Sequence, residues 1–468
     1  MPDAPSAPVE LLLGGWGRAG ATRAWLSTPG GDDQVAGLLA EASSQGVIAR
    51  GLGRSYGDAA QCAGGTVVDT RLIDHIGEVD ACGEVEVGGG ASLDALVRRT
   101  LPQGWFLPVT PGTRQVTVGG AIAADVHGKN HHGDGSFARH VTAMTVATPT
   151  GLHRVTPAAD PELFWATAGG MGLTGVVTSA RLRMLEVETD KMLVDTDRFL
   201  DLDTVMAAME EGDARYRYSV AWVDCAALDR RASPGRRHRP LAGRAVLTRG
   251  DHAGAALVGG VSRLPAALDR ARVPQPHLRA PRHVPRGLLN RRSVAAFNEL
   301  WYRLAPAHRE GELQSMWQFF HPLDGVAGWN RLYGPLGFLQ YQFAVPPDRG
   351  DVVHAAIRTL SWRRIPAFLA VLKRFGPSSP GPLSFPMPGW TLALDVPIGP
   401  EGVAQCLDLL DEMVVEAGGR VYLAKDSRLR PDLVPTMYPR LEELRSLRRR
   451  VDPRGVLRSD LSRRLGLD

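Results

Sequence analysis

Short β-branched apolar runs alternate with glycine clusters over the first 180 residues, at Gly51-Leu52-Gly53, Gly64-Gly65, Gly88-Gly89-Gly90, Gly119-Gly120 and Gly169-Gly170. Apolar runs punctuated in this way read as strands joined by tight turns, where backbone or ligand approaches closely. Between them, Asp33 to Gln45 and Ser92 to Thr100 carry a helical period, the second opened by Ser92 as an N-cap. From about Leu193 the period changes to two. Tyr216 to Trp222 and Gly337 to Phe343 alternate in the manner of antiparallel strands with one buried face.

Asp229 to Arg292 is rich in Arg, Pro and Gly and holds neither period, so an exposed or mobile loop is expected there. Glu401 to Ala417 is helical and stops at Gly418-Gly419, and Arg420 to Ala424 reads as a strand. Pro439 then opens a helix with Leu441, Leu444, Leu447 and Val451 on one face and solvated arginines, including Arg448 to Arg450, on the other. The pattern as a whole is α+β in two domains, with no internal repeat.

Composition narrows the class. In 468 residues, 44% are hydrophobic and 22% charged, which is a globular balance, and the net charge of +4 is too small to argue for a nucleic-acid partner. The four cysteines, Cys62, Cys82, Cys225 and Cys406, have neither disulfide-framework nor zinc spacing. The most apolar long stretch, Ala253 to Leu268, is broken by Gly, Ser, Arg and Pro, so any membrane contact is expected to be peripheral. Met1 to Glu10 lacks the basic patch and apolar core of an export signal, which points to a cytoplasmic location.

Three segments carry candidate chemistry. Val47 to Asp58 runs from an apolar strand into Gly51-Leu52-Gly53-Arg54-Ser55-Tyr56-Gly57. The spacing G-x-G-x-x-x-G and the absence of a following amphipathic helix exclude a dinucleotide-binding βαβ unit. What is left is a loop whose successive amides can cup a pyrophosphate, although a plain turn fits those residues equally well. Pro108 to His132 joins a proline-rich turn to Gly119-Gly120, a helix of small residues and a polar cluster. Phe164 to Val177 repeats the glycine pattern before another β-branched strand.

Together these segments resemble the FAD-binding domain of the vanillyl-alcohol-oxidase-type (PCMH-type) flavoprotein family. The resemblance implies a two-domain α+β fold: a FAD-binding domain at 8–192, a substrate domain on an antiparallel sheet at 193–418 with a mobile loop at about 229–292, and a C-terminal segment, 419–468, that returns to the FAD domain. It implies that FAD is held by Arg50, Gly51, Gly53, Arg54, Ser55, Tyr56 and Gly57 in the first segment. In the second it implies Pro111, Gly112, Thr113, Thr117, Gly119, Gly120, Ala123, His127, Gly128 and Asn130, and later Gly172, Gly175, Val176 and Tyr422. Many members bind flavin covalently through a histidine where this chain has Arg54, so FAD is expected to be non-covalent.

A finer resemblance, to the decaprenylphosphoryl-ribose oxidase branch, rests on several segments. They are Ala49 to Asp58, His127 to His132, Leu300 to Arg303, Trp329 to Arg331, Gly337 to Phe343, Leu383 to Pro386 with Pro388-Gly389-Trp390, Ala424 to Arg428, and Ser459 to Arg464. It implies oxidation of the 2′-hydroxyl of decaprenylphosphoryl-β-D-ribose, with hydride passing to flavin N5, ahead of an NAD-dependent keto-reductase in arabinan-precursor synthesis. By the same resemblance Lys425, Tyr56 and His127 are the catalytic candidates, and Lys129, Gln342, Lys373, Trp390 and Lys425 meet the substrate. Strand alternation turns Tyr341 away from Gln342. The inhibitor-sensitive members have a cysteine three residues after the tryptophan of Pro-Gly-Trp, where this chain has Ala393, so capture by nitroaromatics that need the thiol is not expected. Members have been assigned to the periplasmic face, which keeps that side of the membrane open.

Lysine usage supports part of this choice. Of 54 basic residues only Lys129, Lys191, Lys373 and Lys425 are lysines, and burial shifts a lysine readily but an arginine hardly at all. His127, His131 and His132 offer a metal reading, but adjacent residues diverge and no carboxylate-rich partner segment lies nearby. Other functions fit the same pattern: an aldonolactone or free-sugar oxidase, and, in a different class, a non-catalytic FAD-fold scaffold or a binding protein presenting the basic loop Arg230 to Arg292 to anionic lipid or nucleic acid.

Overall fold

A computed structural model describes residues 7–226, 243–258 and 278–468. The amino-terminal unit holds two four-stranded sheets. In the first, the hairpin Val9–Gly14 and Ala21–Ser27 continues into parallel strands Thr66–Asp69 and Val47–Arg50. Val47, Ile48, Val67 and Val68 are all buried, which suits strands covered on both faces. The second sheet is antiparallel, in the order Glu84–Gly88, Val176–Arg183, Val141–Thr148 and Gly151–Val155. The helix Leu93–Thr100 is capped by Ser92, whose Oγ accepts the Ala95 N–H at 3.0 Å.

The free edge of the first sheet is closed from the far end of the chain. Leu457 bridges Val47 in parallel, with Val47 N–H donating to Val456 O at 2.7 Å and Arg458 N–H to Val47 O at 3.1 Å. Asp452 holds this segment by accepting from the amides of Val456 and Leu457 at 2.9 and 2.7 Å. The helix Leu441–Val451 buries Leu441, Leu444, Leu447 and Val451. Arg448 corrects the expectation of a solvated arginine face: it is buried, and its guanidinium donates to the carbonyls of Leu173, Leu457 and Leu467. Five N–H donors on one planar group can satisfy several orphan carbonyls at a helix–loop junction.

The large sheet has eight antiparallel strands in the order His308–Ser315, Lys191–Phe199, Ala245–His252, Tyr218–Val223, Leu369–Phe375, Gly389–Pro397, Phe338–Val345 and Arg420–Val421. Helices Leu202–Gly212, Gly350–Trp362 and Val403–Glu416 bury their apolar sides against it. The opposite face, with Gln340, Gln342, Val371, Lys373, Ala393 and Asp395, turns toward the glycine loops.

The strand Ala245–His252 lies inside the stretch expected as a loop, paired on both sides. Its Arg249 hides the period, because that side chain is buried and ion-paired with Asp197 of the neighbouring strand at 2.8 Å. The helix Arg291–Leu304 also begins inside that stretch. Residues 227–242 and 259–277 of the same expectation lie outside the described residues. Among the described residues no helix is long and apolar enough to cross a membrane.

Candidate active site

A cavity of about 320 Å³ lies between the glycine loops and the inward face of the large sheet. The first loop leaves strand Val47–Arg50 and turns at Gly53, whose φ of +62° favours glycine. Among the described residues, none of the four amides from Leu52 to Ser55 donates to a protein acceptor. A run of free N–H groups beside a cavity is what an anionic phosphate needs. The Tyr56 amide donates to Ala424 O at 3.1 Å, which ties the loop to the segment carrying Lys425. Gly57 makes that approach possible, since a Cβ there would stand 2.0 Å from the Asp426 carbonyl oxygen. Arg54 lays its guanidinium 3.8 Å from the ring centre of Trp16, which gives this position a cation–π role.

The second segment adds the turn Pro111 to Thr113 and the helix Val118–Ala123, whose cap Thr117 accepts from Gly120 N–H at 3.2 Å. Gly172, Gly175 and Val176 complete the wall.

Polar groups converge on the opposite side. Gln342 Nε2 donates to His127 Nε2 at 3.1 Å and to Thr391 Oγ1 at 2.9 Å. With Nε2 accepting, the imidazole proton sits on Nδ1, 2.9 Å from Lys373 Nζ. Burial, then the charges of Lys425 and Lys129, hold Lys373 well below the usual lysine range. Burial, then Lys373 and Lys425, likewise holds His127 well below the usual histidine range. The buried Oε1 of Gln342 has no partner among the described residues, which leaves an acceptor beside the cavity.

Lys425 follows the turn Tyr422-Leu423-Ala424, its Nζ 5.8 Å from the Tyr56 ring centre and 5.9 Å from that of Tyr422. Burial lowers its amine to about 8, partly offset by Asp395. Asp395 accepts from Gln340 and from Tyr333 OH, and burial raises its carboxyl to about 6. Tyr56 is half-buried, and the loss of solvent around its phenol pushes it well above the ordinary value. Asp426 anchors the lysine turn: it accepts from the amides of Arg428 and Leu429 and pairs with Arg464, which also grips Asp58 in a bidentate contact at 2.9 Å.

The structure gathers most of the residues expected at the site around this cavity and leaves six off its lining. Trp390 is one. The alternation that brings Ala393 and Asp395 inward sends Trp390 to the helix side, where Arg374 lies 5.5 Å from its ring centre. Lys129 is another: its ammonium is spent on the Phe319 carbonyl and lies 4.2 Å from that ring centre. Arg50 braces the loop by donating to Gly14 O and Ala60 O, and Asn130 by donating to Pro108 O and Asp134. Gly57 and Gly128 shape the backbone behind the wall. His131 and His132 diverge to Gly376 N–H and Tyr216 O. Sequence reasoning missed Asp395, Gln340, Trp16 and Trp329, all of which line the cavity. The period of two from Ala393 and Gln342 carries the signal for Asp395 and Gln340.

An FAD binding domain model matches residues 25–156, the span that contains the first two segments of the loop wall. A decaprenylphosphoryl-β-D-ribose oxidase of Mycolicibacterium smegmatis is 42% identical over 99% of this chain and 98% of its own length. The chain belongs to the decaprenylphosphoryl-β-D-ribose oxidase family. An uncharacterized protein of the mprA 5′ region of Streptomyces coelicolor is also 42% identical, over 80% of this chain and all of its own. Cytokinin dehydrogenase 8 of Oryza sativa shares 30% identity over 33% of this chain and 32% of its own. Membership in the family makes the protein a FAD-dependent oxidoreductase with a PCMH-type fold. The free amides of the first loop, the orphaned Gln342 acceptor and a cavity shared by both units fit that cofactor.

Proposed function

We propose that this protein oxidises the 2′-hydroxyl of a polyprenyl-phosphoryl-β-D-ribose to the 2′-keto sugar. When bound, FAD supplies the hydride acceptor, at flavin N5. The glycine loops, led by the Leu52–Ser55 amides, hold the nucleotide, and the inward face of the large sheet receives the sugar.

Lys425 takes the hydroxyl proton. Tyr56 is kept protonated by burial and serves as a donor, while both ring nitrogens of His127 are engaged by Gln342 and Lys373. The Lys425 amine lines the cavity and lies at about 8, near the pH where a general base works best, whereas the Lys129 amine, lowered to about 7, is held off the lining by the Phe319 carbonyl. That single observation carries the assignment. Gln342, Lys373 and His127 orient the sugar and its phosphate, and Trp16, Leu323 and Trp329 give the first isoprene units an apolar wall.

The keto product requires a separate hydride donor to reach the epimeric alcohol, which supports an NAD-dependent keto-reductase as the next enzyme. A membrane-borne substrate favours a peripheral position at the membrane, on the cytoplasmic or the periplasmic face. The test is anaerobic addition of polyprenyl-phosphoryl ribose to the yellow protein: flavin absorbance should bleach in a single turnover. Bleaching by free ribose or an aldonolactone alone would move the protein to the free-sugar oxidases.

A further inference from the structure

The helix Arg291–Leu304 is amphipathic in an unusual sense. Only Val294 and Asn298 are buried, Asn298 donating to Asp224 at 2.8 Å, while a second apolar stripe faces outward. Phe297, Leu300, Trp301 and Leu304 follow the i, i+3, i+4, i+7 spacing of one helix face and are 42, 58, 48 and 73% exposed. Leu288, just before the helix, is 46% exposed.

Charge accompanies the stripe. Residues 278–304 carry six arginines against one carboxylate, Glu299, which is already paired with Arg244 and Arg303. Among the described residues, Arg279, Arg282, Arg286 and Arg292 are exposed and make no ion pair.

The patch is continuous with the active-site rim. Phe297 packs on Phe368 with ring centres 5.0 Å apart, and the Phe368 amide donates to Asp395 O at 3.0 Å. Leu369 and Asp395 line the cavity. Leu289 packs against the cluster of Trp329, Tyr333 and Phe338, and Trp329 is also a cavity residue.

We propose that this helix and the arginine-rich segment before it form a membrane-docking surface that seats the protein on an anionic phospholipid bilayer, with the cavity rim facing the lipid. An outward row of Phe, Leu and Trp flanked by arginines is the chemistry of a helix lying in the bilayer interface. Each unpaired arginine near an anionic surface adds an attraction that salt screens. The choice of a bilayer over another anionic surface rests on the lipid-linked substrate proposed above: docking here would let a polyprenyl tail stay in the membrane while its sugar enters the cavity.

The experiment is co-sedimentation of the FAD-loaded protein with vesicles of phosphatidylglycerol and phosphatidylcholine in equal parts, compared with phosphatidylcholine alone. The parent should pellet with the anionic vesicles and release with added salt. Leu300→Ser/Trp301→Ser/Leu304→Ser should weaken binding by about tenfold or more. Arg282→Glu/Arg286→Glu/Arg292→Glu, which leaves the apolar stripe intact, should lose the anionic preference.

Both variants should keep bound flavin and full bleaching by detergent-dispersed polyprenyl-phosphoryl ribose. The docking surface is refuted if the serine variant pellets like the parent, or if the parent binds both vesicle types equally. It is also refuted if the parent is a dimer that the serine variant splits, because the stripe then belongs to a second copy. Vesicle binding that depends on the stripe, with no bleaching by the lipid-linked sugar, upholds the surface and removes the substrate assignment instead.

Discussion

Replacing Lys425 by methionine keeps an unbranched side chain, one atom shorter, and removes the amine. Burial lowers that amine from 10.5 to about 8. At pH 7 about one lysine in ten is then neutral, against about one in three thousand for an ordinary lysine, a gain equal to about 3.4 kcal/mol. The rate of anaerobic flavin reduction should therefore rise about tenfold per pH unit below 8 and level off above it. Lys425→Met should lower that rate by about 10² to 10⁴, roughly 3 to 5 kcal/mol of barrier, and flatten the profile.

Stability should move the other way. A lysine whose folded value is depressed destabilises the fold below about pH 8, and the penalty fades between 8 and 10.5 as the amine neutralises in both states. The variant should thus gain up to about 3 kcal/mol at pH 7 in urea unfolding, and the gain should vanish above pH 10.5. Stopped-flow reduction at parental speed in Lys425→Met, or a parental rate that stays flat from pH 6 to 9, would refute the base assignment.

Asp395→Asn removes the one charge that raises the Lys425 amine, so the midpoint of the same pH–rate profile should fall below 8. With Ala393 at the cavity wall, a thiol-requiring nitroaromatic should leave the intact mass unchanged, whereas Ala393→Cys should gain one adduct per chain. Arg464→Ala strands Asp58 and Asp426 without their guanidinium; it should cost about 3 kcal/mol in urea unfolding and weaken FAD retention on dilution, read by flavin fluorescence.

The glycine loops were legible because a backbone that must touch a ligand tolerates no Cβ, and that requirement is written in residue type. The strands Phe338–Val345 and Leu369–Phe375 were legible through their alternation. Alternation also held information that went unread: counting by two from Ala393 reaches Asp395 and excludes Trp390. Other features depend on partners far along the chain. Arg249 passes for a loop residue until Asp197 of the adjoining strand neutralises it, and Arg448 for a surface residue until three carbonyls close around it. Lys129 sits in a motif rich in polar residues, but the carbonyl of Phe319, 190 positions away, claims its ammonium.

The bridge between Val47 and Leu457 has a consequence for how the molecule is made. Emerging first from the ribosome, the nucleotide-binding part must wait for the segment around Leu457 before its sheet edge is sealed. A truncated amino-terminal fragment would be born with an open β-edge, prone to pairing with its neighbours. Flavin loading should thereby await synthesis of that segment, and chains cut short before it should be left uncoloured.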